Sequence, residues 1–488
     1  MRKFMRNFNI GWVLLILSVI LVQSCAKDEL DVLEISETDT DDFDTVAQDS
    51  LTARRQNDRN NGLNPSEETV QLITDWNDLW LVLDRYTNGL RPNTTARALA
   101  YIHLAGYETA VADMDGYGST RNQLQGFNLD QDDRADTVDR NLALNTCYAL
   151  VFDHFMFSVS NNAKAGITTL ENEMAEELSE NLSQEEIEDS EEWGALVAEM
   201  VIAYSQTDNE AETQQLDPNP GSYVAPVGEG LWAASEGETA WFPYWNRVRT
   251  FVISPEQTSS TPPPFSHSGN RNSGYYNQMD EVESTATTAR LEDNEDLWIS
   301  EFWSDDVEGL MMSPPGRQFS IANQLIDQED LDYEQTLELL LKLGFAMNDA
   351  AVSAWDDKYT YNTERPSRYI LEYINDDFQT NLARFISSPN PAFPAYPSGH
   401  ATFAAVASGV FMDIFGGDAI NFTDRTHAGR SEFRSDSRSF SSFSEMAEEN
   451  GYSRIPLGVH IQADSDEGVR LGYEISAAIN NFSLSPNF

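Results

Sequence analysis

Apolar residues recur at helical spacing along most of this chain. In ETVQLITDWNDLWLVLDRY (68–86), Val70, Leu72, Ile73, Trp76, Leu79, Trp80 and Leu83 fall near one face of a helix. Residues 94–115 predict a second helix, rich in small residues and opened by Pro92 and Asn93. A third is expected over 137–158, and one or two more over 170–205. The period breaks between 207 and 295, where DPNPGS and STPPPFSHSGNRNSG read as long surface loops. Helices resume over 318–330, 333–356, 398–415, 441–450 and 460–480. Strand signals are few and no repeat is present. The pattern predicts an all-α domain of packed helix bundles.

The first residues follow another rule. Arg2, Lys3 and Arg6 precede IGWVLLILSVILV (10–22), which is too short to span a bilayer but suits a signal-peptide core. The segment ends Val22-Gln23-Ser24-Cys25, which resembles a bacterial lipoprotein processing site with Cys25 as the lipidated residue. Residues 1–25 are therefore expected to be a lipoprotein-type signal and anchor. Residues 26–65 are acidic without an apolar period and read as a solvated tether. Acid directly after Cys25 resembles the surface-export signal of Bacteroidetes lipoproteins. The expected location is the cell envelope or outer surface of a Gram-negative bacterium. The helical domain is expected over 66–488. Cys147, the only other cysteine, lies in an apolar helical pattern and reads as a buried small hydrophobe.

Charge narrows the function. The 488 residues carry 30 Lys plus Arg against 81 Asp plus Glu, a net charge of −51. Such a body is repelled by nucleic acid and anionic lipid. After residue 25 no apolar run approaches membrane-spanning length, so no integral membrane domain is expected.

Against that background, three segments between 302 and 475 hold the candidate chemistry. The first is Lys358 followed by Arg365-Pro366, two cations a short loop apart at the end of the 333–356 helix. The second is Pro397-Ser398-Gly399-His400. Ser398 is a natural N-cap, the N–H groups after it form an anion site, and Gly399 allows close approach. His400 can move a proton beside it. The third is Ser453-Arg454, then His460 and Asp464. If 460–480 is helical, His460 and Asp464 share one face at i and i+4, and Asp464 fixes the His460 tautomer. Together, three cations, a hydroxyl and a helix end would surround a multivalent oxyanion.

The complete pattern K-x6-RP, PSGH, SR-x5-H-x3-D resembles the superfamily of vanadium-dependent haloperoxidases and type-2 phosphatidic acid phosphatases. FWSDD, SPPGR, PAFPAYPSGHATF and NDAAVSAWDDKYTYNTERPSRY resemble the bacterial haloperoxidase branch, especially its iodoperoxidases. The resemblance implies an all-α fold of two packed four-helix bundles with long surface loops. It implies vanadate as cofactor, with His460 as the vanadium ligand and Lys358, Arg365, Ser398, Gly399 and Arg454 on the vanadate oxygens. His400 would be the acid–base residue, with an acid of the Asp305-Asp306 pair beside it, and Asp464 would orient His460. Trp355 and Phe393 would line the halide pocket. The implied reaction is oxidation of halide by hydrogen peroxide to hypohalous acid, with iodide favoured, bromide next and little chloride turnover. One departure stands out: Ile455-Pro456-Leu457 replaces a segment that often carries glycine in relatives, and Pro456 would stiffen the loop presenting His460.

Two other readings compete. A soluble acid phosphatase of the same superfamily would use His460 as the nucleophile, forming a phosphohistidine, with His400 protonating the leaving oxygen. An anion-binding lipoprotein without turnover would need neither histidine. Homo-oligomerisation is left open by the sequence.

Overall fold

The computed structural model describes residues 63–486 except 88, 236 and 387. The expected signal peptide, Cys25 and nearly all of the tether lie outside the described residues.

The helix α1 (Pro65–Asp84) opens on a reciprocal cap in which Asn64 accepts from Ser66 and Glu67 N–H while Glu67 returns a bond to Asn64. It buries the apolar stripe read from the sequence, apart from the half-buried Val70, with Trp76 and Trp80 against Phe152. Four more helices complete the N-terminal bundle: α2 (Asn93–Ala110), α3 (Arg140–Phe155), α4 (Asn161–Leu178) and α5 (Gln184–Gln206). Cys147 is fully buried in α3, as expected of a small hydrophobe.

The short α6 (Asn209–Leu216) then leads into a long irregular stretch that ends at α7 (Gly274–Glu292). This helix corrects the expectation of loops throughout 207–295. Tyr275, Met279, Val282, Ala286 and Ala289 form its buried stripe, diluted by Ser, Thr and Asn between them. Its packing against α11 (Pro366–Tyr373) and α14 (Arg454–Leu457) outweighs the local composition.

Next come α8 (Glu295–Phe302), α9 (Pro314–Gln328) and the 29-residue α10 (Tyr333–Tyr361). The last runs one turn further than predicted and ends on Asn362 in the left-handed conformation, φ 54°. It joins the two halves: it packs on α2 in the first bundle and on α12 (Gly399–Ile414) and α15 (Gln462–Asn480) in the second. A two-stranded antiparallel ribbon, β1 (Ala419–Asp424) with β2 (Arg438–Ser442), precedes α13 (Phe443–Tyr452) and was not foreseen.

The crossing of α12 and α15 is unusually close, and glycine permits it. A Cβ at Gly468 would stand 2.5 Å from the Ser398 carbonyl oxygen, and one at Gly472 2.6 Å from that of Thr402. Either would force the helices apart. The start of α12 is thereby locked onto the start of α15.

Candidate active site

The three motif segments meet at that crossing. Ser398 caps α12, its Oγ accepting weakly from the Ala401 N–H at 3.5 Å. The N–H groups of Gly399 and His400 belong to the first turn and have no intrahelical acceptor. The Ser398 N–H donates to the Asp464 carbonyl at 2.9 Å, tying the second motif to the third.

His460 does not lie in a helix, which corrects the i and i+4 picture. Ile461 is extended, φ −89° and ψ 163°, and α15 begins at Gln462. The expected pair forms nonetheless, because Asp464 reaches back from the first turn. Its Oδ2 takes the Ile461 N–H at 3.3 Å and lies 3.0 Å from His460 Nδ1. With Nδ1–H donating there, the lone pair is on Nε2. The segment before it is stiff: Arg454–Leu457 closes as a four-residue helix containing Pro456, and Asn381 holds the Pro456 and Leu457 carbonyls. Gly458 then turns the chain at φ 89°, where a Cβ would press to 3.2 Å from Thr380 Cα.

Three cations are buried around this pair. Lys358, in the last turn of α10, donates from Nζ to the carbonyls of Pro394 (3.2 Å), Ala395 (2.8 Å) and Pro397. Arg365 is the N-cap residue of α11. Its Nε bonds the Phe393 carbonyl at 3.1 Å, and Nη1 reaches the Val459 carbonyl at 3.1 Å and His460 Nε2 at 2.9 Å. Arg454 bonds the Trp303 carbonyl at 3.2 Å and pairs closely with Asp306. His400 Nε2 stands 3.8 Å from the same Asp306 carboxylate.

Burial and like charge together set the electrostatics of this cluster. Burial and the other arginine neighbours push Arg365 down to about 9 and Lys358 well below its usual value. Burial, then Arg454, lowers His400 to about 3, against the opposing pull of Asp306. His460 is likewise held well below the usual range, by burial and then Arg365. Burial raises Asp464 to about 7. Cations so crowded out of water call for a compensating anion. Arg365 Nη2, Arg454 Nε and His400 Nε2 are buried without a hydrogen-bond partner. These unmet donors fit a tetrahedral or trigonal oxyanion. Among the described residues, no group of three or more His, Cys, Asp or Glu side chains forms a cation site.

A cavity of about 120 Å³ opens on Gly399, His400, Arg454 and His460. Trp355 and Phe393 form its aromatic wall, ring centroids 4.9 Å apart and 53° from coplanar. A Cβ at Gly399 would already touch the Trp355 ring at 3.5 Å, so a side chain there would fill space beside the helix end. All ten body residues singled out in the sequence thus gather in one place. Sequence reasoning missed Arg91, Trp241 and Glu308, which also line the cavity. Each is a lone residue in a loop, and no spacing signal marks it. The sequence does not divide Asp305 from Asp306: both line the cavity, but Asp306 pairs with Arg454 and stands 3.8 Å from His400, whereas the Asp305 carboxylate faces Arg317 at 3.8 Å.

Comparison with known proteins bears on the fold. Residues 338–486 match the family model of the VCPO second helical-bundle domain. A solved bacterial vanadium-dependent iodoperoxidase superposes with a TM-score of 0.73 at 25% identity, covering 86% of this chain and 98% of that one. The holo form of a bacterial vanadium-dependent chloroperoxidase gives 0.61 at 15% identity, over 81% of this chain and 92% of that one. Its apo form gives 0.60 at 15% identity, over 81% and 94%. No curated protein matches. The chain has the all-α fold of the bacterial vanadium haloperoxidases, and residues 338–486 resemble the VCPO second helical-bundle domain.

Proposed function

We propose that this protein is a vanadate-dependent haloperoxidase that oxidises halide, iodide above bromide, with hydrogen peroxide. The observation that carries the reading is the set of buried, partnerless donors on Arg365, Arg454 and His400 around the Nε2 lone pair of His460. The structural neighbours support vanadate as the anion, and a haloperoxidase as the enzyme.

When bound, vanadate supplies a Lewis-acidic centre that activates hydrogen peroxide toward halide. In balance, the halide loses two electrons to hydrogen peroxide, the O–O bond breaks, and with one proton taken up one oxygen leaves as hypohalous acid while the other becomes water. The chain's residues do the rest. His460 would ligate vanadium through Nε2, with Asp464 holding its Nδ1–H and ring plane. Arg365 and Arg454 would turn their free N–H groups to the oxygens, joined by Ser398 Oγ–H and the Gly399 N–H. Lys358 would exchange a carbonyl for an oxygen of the bound group. His400, beside Asp306, would hold or return a proton at Nε2. Asp306 would steady both Arg454 and His400.

Iodide preference rests on two points. Iodide gives up electrons most easily of the three halides, and the Trp355–Phe393 wall is apolar and suits a large, weakly hydrated ion. The chelator-treated enzyme is assayed with and without orthovanadate, against each halide and against a phosphate ester. Vanadate-dependent turnover in the order iodide, bromide, chloride is expected. Chloride turnover equal to iodide overturns the preference. Ester hydrolysis inhibited by vanadate, with no halide oxidation, turns the reading to a phosphatase.

Export and lipid anchoring through Cys25 are a further part of this reading, resting on the sequence of residues 1–25. Mass spectrometry of the native N-terminus would find a lipid-modified Cys25, and an unmodified Met1 would refute it.

A further inference from the structure

Arg91 precedes α2 in the turn that follows α1 and lines the cavity shared by His400 and His460. It is buried, with 7% of its surface exposed. Nη2 donates to the Asp305 carbonyl at 2.9 Å, while Nε and Nη1 are buried with no hydrogen-bond partner. A guanidinium in that state is costly unless something occupies its free donors.

The nearby carboxylates do not fill that role. Asp84, Asp305 and Glu308 all feel the Arg91 charge. But Asp84 takes the Ser313 N–H at 2.5 Å, and Glu308 takes the Gly89 N–H at 2.8 Å. The Asp305 carboxylate lies 3.8 Å from Arg317 and accepts no hydrogen bond. Arg91 therefore lines the reaction cavity and keeps two N–H donors that no protein group fills. Nor does the oxyanion site account for it, since Arg365, Arg454 and Lys358 already surround His460.

The substrate explains the need. A chain of net charge −51 repels a free halide ion, so the cavity must offset that field locally. We propose that Arg91 is a halide-holding residue, binding the ion through Nε–H and Nη1–H before it meets the activated oxygen. This deepens the haloperoxidase reading and rests on it. The ligand class is a small monovalent anion, which suits a cavity of about 120 Å³.

Two measurements test it. Crystals of the vanadate-free protein soaked in iodide are expected to show an anomalous peak within contact distance of the Arg91 guanidinium. A cavity without such a peak overturns the proposal, whatever the activity of the enzyme. In the vanadate-loaded enzyme, Arg91→Gln is expected to raise the iodide KM roughly tenfold, the weight of one charge-assisted hydrogen bond. The kcat and the vanadate affinity should stay within about twofold, and Arg91→Lys should recover most of the KM. An unchanged KM, equal defects in the Gln and Lys variants, or a parallel loss of vanadate affinity from a displaced Asp305-Asp306 turn would each refute it. If no halide turnover occurs in the unsubstituted enzyme, the haloperoxidase reading fails separately, and the iodide soak still decides Arg91.

Discussion

Each bundle holds a buried histidine whose pKa is driven down to about 3, His103 in the first and His400 in the second. The shift is the same, but the surroundings differ. His103 stacks on Phe319 at 4.8 Å, 10° from parallel, and burial alone lowers it. Neither of its ring nitrogens has a hydrogen-bond partner. His400 is lowered by burial and then by cations, with an opposing carboxylate 3.8 Å away and a cavity in front. A perturbed pKa therefore marks burial, and the charged company marks a site. The buried arginines are a subtler case. Arg97 and Arg454 each bond through both Nη groups and leave only Nε without a partner, whereas Arg365 leaves Nη2 free and sets Nη1 2.9 Å from His460 Nε2.

Substitutions can break this comparison, and the largest effect is expected at His460. His460→Ala removes the one ring nitrogen offered to the metal, and vanadate-dependent turnover should fall by about three orders of magnitude or more. Full activity in this variant would mean that the ligand lies elsewhere. His400→Ala should keep vanadate binding and lose roughly 10²- to 10⁴-fold in kcat, measured by peroxide-dependent triiodide formation. If vanadate affinity collapses instead, His400 holds the anion and does not serve as the proton carrier. Asp464→Ala leaves Nδ1–H without its acceptor, and vanadate affinity should drop roughly 10- to 100-fold. An unchanged dissociation constant would show that Asp464 does not orient the ligand.

The smallest effect sharpens the contrast from the other side. His103→Leu should leave turnover unaltered and change stability by less than about 1.5 kcal/mol near neutral pH. Its signature is in acid. A histidine lowered from 6.5 to about 3 on folding contributes stability that is fully present above pH 6.5 and is lost as pH falls toward 3. Denaturant titrations over that window should show a shallower acid loss in the variant. For His400 the same loss should shrink when vanadate is bound, because the anion raises its folded pKa toward the unfolded one. Equal acid sensitivity with and without vanadate would argue that the anion does not sit beside His400.

The helical fold was legible wherever burial is one-sided. The stripe in α1 and the small-residue pattern of α2 follow the 3.6-residue period, because each packs one face on a neighbour. The helix α7 was not legible, since Ser, Thr and Asn between its buried positions outweigh the apolar signal locally. The ribbon β1–β2 escaped because its strands are short and half-exposed. The gathering of the candidate residues was legible to an unusual degree, since they cluster in three short motifs at helix ends. What escaped was long-range. Arg91 reaches the cavity only because α2 packs beside α10, and Asp306 separates from Asp305 only through the pairing of Arg454 on one side and Arg317 on the other.

The central claim is that the converging donors are an oxyanion site with His460 at its centre. Calorimetric titration of orthovanadate into the chelator-treated protein, beside His460→Ala, tests it most directly. The account predicts one vanadate bound per chain in the unsubstituted protein and none at that affinity in the variant. Equal binding by both proteins, or binding by neither, would contradict it.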